Sequence, residues 1–446
     1  MDRVAHLAQS MTTTAAKTTH VAIVGGGWAG MSAAVELASR KIPVTVYEAA
    51  NTLGGRARRV MTNGLALDNG LHILVGAYKE TLRMIRMVSG TGESANLLRL
   101  PLRFRVEPDF RMHAPRLPRP LHLFAAIVFA RGLAVSEKVA AMRFMQSMKS
   151  NGFRCERGLT TTDLLQRQRQ PHELIECLWG PLCIAALNTI PDQADAQVFL
   201  NVISDCLAGP RAASDLLLPK VDFSALFPEP AAEYVRRRGG LVHPGQTATS
   251  LRVLDDGFEV TASHTRRYSH LIIAVGPHRL EKLAGNIPQL APQLEMLRQF
   301  DYQPIYSVFL QYPAQVTLPE AMIGMRNSLV QWVFDRGRLC NQPGMLGVVI
   351  SASGSHQALA RDDLAQQIHE QLAQRFSLPE PLWSQVIAEK RATFTAKPQL
   401  QRPANLTGVP GLFLAGDYTS SPYPATLESA VRSGLACARS ILNFDD

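Results

Sequence analysis

The chain has 446 residues, enough at about 150 residues per domain for three domains or one large multi-lobed one, with a core that can enclose a sizeable ligand. Hydrophobic residues make up 46% and charged residues 19%, and no polar low-complexity tract appears, which excludes wholesale disorder, a collagen and a coiled coil. A net charge of +9, from 46 basic against 37 acidic side chains, suits phosphate-bearing ligands or anionic lipid; it does not by itself point to nucleic acid, because the basic side chains are mostly arginine and scattered along the chain, densest at 103–119 and 236–238.

Residues 1–19 carry too short an apolar run for a signal peptide and read as a disordered leader. An apolar strand at 20–24 then runs into Gly25-Gly26-Gly27-Trp28-Ala29-Gly30, a helical pattern follows over 31–40, and a second strand at 43–48 ends on Glu48. This is a βαβ unit carrying G-x-G-x-x-G in its proper place. Gly25 permits the tight turn, Gly27 lets the backbone approach a pyrophosphate, and Gly30 lets helix and strand pack closely. The helix N-terminus offers unbonded N–H groups to phosphate. Glu48 stands 18 residues after Gly30, where an acid accepts hydrogen bonds from both ribose hydroxyls. The fingerprint serves NAD and FAD alike. A second glycine turn, Leu53-Gly54-Gly55-Arg56, follows: Gly55 lets the chain pass close to a cofactor, and Arg56 faces its pyrophosphate or a flavin ring, or else is an arginine satisfied by surface carboxylates.

Further along, 100–218 is helix-rich. Within it, 121–135 is mostly apolar and flanked by Arg116, Arg119 and Arg131, too short and interrupted to span a bilayer; it is either a buried core helix or an interfacial one that gives a lipid-soluble substrate a dry way in. The apolar runs 258–262 and 271–275 read as strands of the same buried sheet as 20–24, and 306–350 as further strands. A last short strand ends at Gly416-Asp417 and leads into a helical pattern over 425–442. Tyr418 and Tyr423 flank that turn, either packed or lining an aromatic wall. The six cysteines, at 155, 177, 183, 206, 340 and 437, show no C-x-x-C pair and no metal-ligand spacing with histidine, so they read as reduced thiols and no metal is expected.

Gly25-x-Gly27-x-x-Gly30, Glu48, Gly54-Gly55-Arg56 and Gly416-Asp417 together resemble the flavin-containing amine oxidase and phytoene desaturase superfamily. The stretches Asp68-Asn69-Gly70-Leu71-His72-Ile73-Leu74-Val75-Gly76-Ala77-Tyr78, Leu178-Trp179-Gly180-Pro181-Leu182, Ala185-Ala186-Leu187-Asn188-Thr189 and Tyr423-Pro424-Ala425-Thr426-Leu427-Glu428 are similar to its squalene-associated branch, the hydroxysqualene dehydroxylases of bacterial hopanoid biosynthesis. The similarity covers nearly the whole chain after residue 19. It implies FAD as cofactor, with Asp417 on the ribityl hydroxyls, Ala425 and Thr426 facing the flavin, and the segment 245–251 holding adenine at Ala248, where the family usually has valine. It also implies a long-chain isoprenoid substrate, hydroxysqualene, which loses its allylic hydroxyl as water and receives hydride from reduced flavin. For the proton donor, His72 is the first candidate, as an imidazole near its ordinary pKa, and Asp68 the second; a histidine that merely holds its loop is the alternative. A carotenoid-type desaturase and an amine oxidase stay open. No second G-x-G-x-x-G appears, so the electron donor is unassigned.

The predicted fold class is α/β: a Rossmann-like FAD-binding domain of the glutathione-reductase type, discontinuous in sequence, with an inserted α+β substrate domain that carries a helical, membrane-facing subdomain. The expected boundaries are 1–19 leader, 20–85, 221–290 and 401–446 FAD-binding domain, 86–220 helical region, and 291–400 substrate-domain sheet. The expected location is cytoplasmic, peripheral to the inner face of the plasma membrane.

Overall fold

The computed structural model describes residues 19–90, 92–118 and 120–444. Residues 1–18 of the predicted leader, and Arg119, lie outside the described residues. Five short strands form one parallel sheet in the order Leu241–His243, Val44–Tyr47, Val21–Val24, His270–Ile273, Leu412–Leu414. Val21 lies level with Val44 on one side and His270 on the other. Val21–Val24 and Val44–Tyr47 are buried at every position, because helices cover both faces of a parallel sheet and an apolar run with no polar alternation is what such a strand needs.

Helix Trp28–Ser39 covers the sheet and packs against helix Leu427–Phe444 and helix Pro228–Arg236. The first contact is a backbone contact: a Cβ built on Gly434 would come within 2.0 Å of the Ala29 carbonyl oxygen. Trp28 fills the space beneath, its ring 6.0 Å from that of Phe223 and 5.0 Å from that of Phe227.

The predicted strand at 258–262 does not join this sheet. Gly257–Thr261 is the middle strand of a separate antiparallel meander with Ser250–Leu254 and Thr265–Tyr268. Its burial alternates along its length, as it must when one face meets water. The segment 245–251, which the resemblance likens to the edge strand that holds adenine, is not the edge of this sheet: the edge is Leu241–His243, and Ala248 lies in the irregular segment beyond it.

A seven-stranded mixed sheet forms the second layer system, in the order Trp383–Phe394, Tyr302–Gln311, Met345–Ser351, Trp332–Asp335, Met322–Met325, Arg103–Glu107, Phe110–His113. The two-residue period of a strand gives it two different faces. Val308, Leu310, Val333, Leu346, Val348 and Ile350 pack with Leu364, Ile368 and Leu372 of helix Arg361–Phe376. Ile305, Trp332, Phe334 and Val349 turn the other way, into a cavity shared with the parallel sheet.

Replacing Gly434 by alanine gains up to about 1 kcal/mol of helix propensity. Overpacking a backbone contact typically costs about 1–3 kcal/mol and should win. Gly434→Ala is therefore expected to lower the thermal midpoint, read by differential scanning calorimetry of the flavin-free protein; an unchanged or raised midpoint would show that the two helices have room to part.

Candidate active site

The three fingerprint glycines do different work. Gly25 has φ +116°, and a Cβ on it would lie 2.4 Å from the Ala274 oxygen; a Cβ on Gly30 would lie 2.0 Å from the Gly25 oxygen. Both are therefore demanded by the protein itself. A Cβ on Gly27 meets nothing closer than 3.7 Å, the Cα of Gly55. Its missing side chain opens space on the cavity wall instead, which is what a ligand passing between the two glycine turns requires. Helix Trp28–Ser39 starts at this point with no side-chain cap and no acid in its first turn, so its N–H groups are offered to an anion.

Glu48 lines the same cleft, its carboxylate held by the N–H groups of Gly26 (2.6 Å) and Ala50 (2.8 Å). A carboxylate has about four lone-pair sites, so capacity remains for a ribose. Gly55, Arg56, Ala248, Gly416, Asp417, Ala425 and Thr426 all lie on the wall as well. Apart from Gly30, which is set against the Gly25 backbone rather than on the wall, the residues expected from the sequence to hold FAD are thus brought to one cleft, and they fit it.

Arg56 does not project freely toward a pyrophosphate. It donates to Asp417 Oδ1 at 2.5 Å and to the Ala392 carbonyl at 2.6 Å, and so ties the second glycine turn to the C-terminal one. Burial opposes the charged guanidinium, but Asp417 and then Glu389 outweigh it and hold its pKa above the ordinary value. Beside this pair the Tyr418 ring crosses Gly416, and its buried hydroxyl has no hydrogen-bond partner among the described residues. An unpaired buried hydroxyl costs free energy unless something bound satisfies it, and Tyr418 is on the cavity wall.

From the cradle the cavity, about 900 Å³, continues into an apolar chamber walled by residues such as Leu71, Ile73, Leu182, Val202, Ile203 and Trp332. His72 is on its wall, its ring edge-on to Phe223 at 5.2 Å. Burial, and after it the nearby Arg56 charge, press the imidazole down to about 4. At pH 7 it is neutral, so it can donate a hydrogen bond but is not the near-neutral acid the sequence suggested. Asp68 is a clearer correction. It does not line the cavity; its carboxylate is buried behind the wall, accepting from the Phe223 N–H (2.9 Å) and pairing with Arg336 (3.3 Å). Burial pushes this carboxyl up to about 6 in spite of Arg336.

Three residues of the stretches that carry the family resemblance have partners that the sequence does not signal. Asn188, in left-handed conformation with φ +48°, donates to Thr393 Oγ1 and accepts from the Ala352 N–H, latching the helical region to the seven-stranded sheet. Glu428 accepts from the N–H groups of Glu80 and Thr81 and supplies helix Lys79–Ser89 with the N-terminal cap that Tyr78 at its start does not provide. Tyr423 donates to Asp205, 218 residues away.

The sequence profile described as flavin containing amine oxidoreductase matches residues 28–442. The chain belongs to this family. Its cofactor is FAD, as the cleft allows. It is 27% identical over 431 residues to the hydroxysqualene dehydroxylase of Sinorhizobium fredii, covering 93% of this chain and 96% of that protein. It is 28% identical over 443 residues to the protein of the same name from Rhodopseudomonas palustris, covering 96% and 98%. The 15-cis-phytoene desaturase of Synechococcus elongatus is 23% identical, covering 96% of each chain. Among solved structures, an oxidoreductase from Methanosarcina mazei superposes with TM-score 0.75 at 14% identity, covering 94% of this chain and 100% of that one. A putrescine oxidase triple mutant superposes with TM-score 0.73 at 17% identity, covering 96% and 99%. These solved structures share the fold of this chain.

Two outcomes follow from the cleft. Asp417→Asn removes a charged acceptor, worth about 1.5–3 kcal/mol per hydrogen bond, and is expected to raise the Kd of the apoprotein for FAD tenfold or more; an unchanged Kd in a fluorescence titration would remove Asp417 from the binding set. His72 has a folded pKa of about 4, below its unfolded value, so its contribution to stability is lost as pH falls from about 6.5 toward 4. His72→Gln lacks that loss. Relative to wild type it is expected to be more stable at pH 5 than at pH 7 in urea titrations, and an equal difference at both pH values would show that the imidazole is not held neutral.

Proposed function

We propose that this chain is an FAD-dependent hydroxysqualene dehydroxylase, which replaces the allylic C–O bond of a C30 alcohol by C–H and releases the oxygen as water. The observation that carries the reading is the single cavity that joins the glycine cradle to an apolar chamber: a cofactor and an oily substrate share one enclosure. Its volume, about 900 Å³, stands near the upper end of the roughly 300–1,000 Å³ of small-molecule sites. Full-length similarity to proteins named hydroxysqualene dehydroxylase supports the same reading. When bound, FAD supplies two-electron redox chemistry as hydride. The protein's part is to bind the isoprenoid in an extended, water-free channel, to hold its hydroxyl, and to anchor the cofactor through Glu48, Gly27, Gly55 and Asp417.

The reading extends to a membrane surface. Among the described residues no helix is long and apolar enough to cross a membrane. Helix Leu121–Val128 buries His122, Ala125 and Ala126 and leaves Leu121 53%, Phe124 56% and, just beyond it, Phe129 77% exposed, with Arg116 and Arg131 exposed nearby. Apolar side chains outward and arginines beside them suit the boundary of an anionic leaflet, from which a water-insoluble substrate is drawn.

Anaerobic mixing of photoreduced enzyme with hydroxysqualene is expected to reoxidise the flavin and form squalene. Reduction of oxidised enzyme by a more saturated polyene, with hydroxysqualene inert, would instead establish a desaturase. Phe124→Asp and Phe129→Asp are each expected to weaken co-sedimentation with phosphatidylglycerol vesicles about tenfold or more, since a phenyl ring withdrawn from the leaflet forfeits about 1.5–3 kcal/mol. Unchanged binding of both variants would dismiss this helix as the membrane face.

A further inference from the structure

Among the polar side chains on the wall of the chamber is a pair that the cofactor does not explain. Helix Ala196–Ile203 continues into the π-helical turn Ser204–Ala208, and wide turns of this kind are frequent at functional sites. Val202, Ile203, Cys206 and Leu207 line the chamber, as an oily channel requires. Asp205 lines it too. A carboxylate on the wall of such a chamber is costly unless it meets partners.

Asp205 meets one. Its Oδ2 accepts from the Tyr423 hydroxyl at 2.5 Å; among the described residues no hydrogen bond is formed to Oδ1. Tyr423 also lines the chamber and lies beneath the Arg432 guanidinium, 4.8 Å above its ring centre. The pair is not needed to fasten its loop. Asn201 Nδ2 already donates to the Pro422 carbonyl at 2.7 Å, and Arg402 donates to the carbonyls of Tyr423, at 3.0 Å, and Ser421. These backbone anchors place Tyr423, and Tyr423 in turn fixes the carboxylate, so the polar spot is preorganised.

We infer that Asp205 and Tyr423 form the subsite that receives the substrate's allylic hydroxyl, which donates to the second Asp205 oxygen while the hydrocarbon arms lie along the apolar wall. The inference rests on the proposed function and assigns the residues that tell the alcohol from its deoxygenated product. A charged acceptor for one hydroxyl, on a wall made largely of apolar side chains, discriminates by about tenfold or more.

The test is binding to the oxidised, FAD-loaded enzyme, which consumes neither ligand, followed by perturbation of the flavin absorption band. Wild type is expected to bind hydroxysqualene at least about tenfold more tightly than squalene. Asp205→Leu should abolish the difference and leave squalene affinity in place. Tyr423→Phe and Asp205→Asn, which keep the shape, should each reduce it severalfold, and they decide the matter if the leucine variant fails to retain flavin. A difference that survives in the variants overturns the inference, and so does an equal loss of affinity for both ligands, which is what a merely structural pair would give. If wild type turns hydroxysqualene over but the variants still discriminate, only the subsite falls. If wild type neither prefers nor consumes hydroxysqualene, the proposed function falls with it.

Discussion

Parallel strands cannot be joined by hairpins, and that constraint shapes the molecule. Each neighbour of Val21–Val24 must be reached by a crossover, and here the crossovers have grown into the rest of the protein. The chain leaves the sheet after Val44–Tyr47 and returns at Leu241–His243; it leaves again after His270–Ile273 and returns at Leu412–Leu414. What lies between the returns is the chamber wall. The ligand cleft therefore forms at the ends of strands whose sequence neighbours are far apart, and the Arg56–Asp417 pair, spanning 361 residues, closes it.

Signals with a local physical meaning were legible. Glycines that a turn or a close approach demands, an acid ending a strand, and a Gly-Asp after the last strand can be read in a few residues, and they lie together in the cleft. The misplaced strand at 257–261 also had a local signal: Asp255-Asp256-Gly257 is a hairpin turn sequence, and the alternation that follows it belongs to a half-exposed antiparallel strand. An apolar count alone hid it. Partnerships across the chain were not legible, since nothing near Asp68 announces Arg336 and nothing near Tyr423 announces Asp205. A carboxylate reads the same in sequence whether it faces substrate or an arginine behind the wall.

The seven-stranded sheet shows how one element serves stability and function at once. Alternate residues of Met345–Ser351 point to opposite faces: Leu346, Val348 and Ile350 pack under a helix, while Val349 and Ser351 face the chamber. Because one face is fixed in the core, the other is held still. Ser307 on the neighbouring strand accepts from the Leu71 N–H and so steadies the loop that carries His72.

The seating of Gly434 on Ala29 has a consequence for biogenesis. Sequence order is the order of synthesis, so the strand Leu412–Leu414 and the helix that closes on Trp28–Ser39 emerge long after the segments they complete. Until then the nascent chain carries His270–Ile273 as an open sheet edge and an uncovered apolar helix face, which is the state in which partly made proteins aggregate or engage chaperones. Premature termination anywhere before residue 411 would leave that edge open for good, and such fragments are substrates for quality control rather than weakened enzymes.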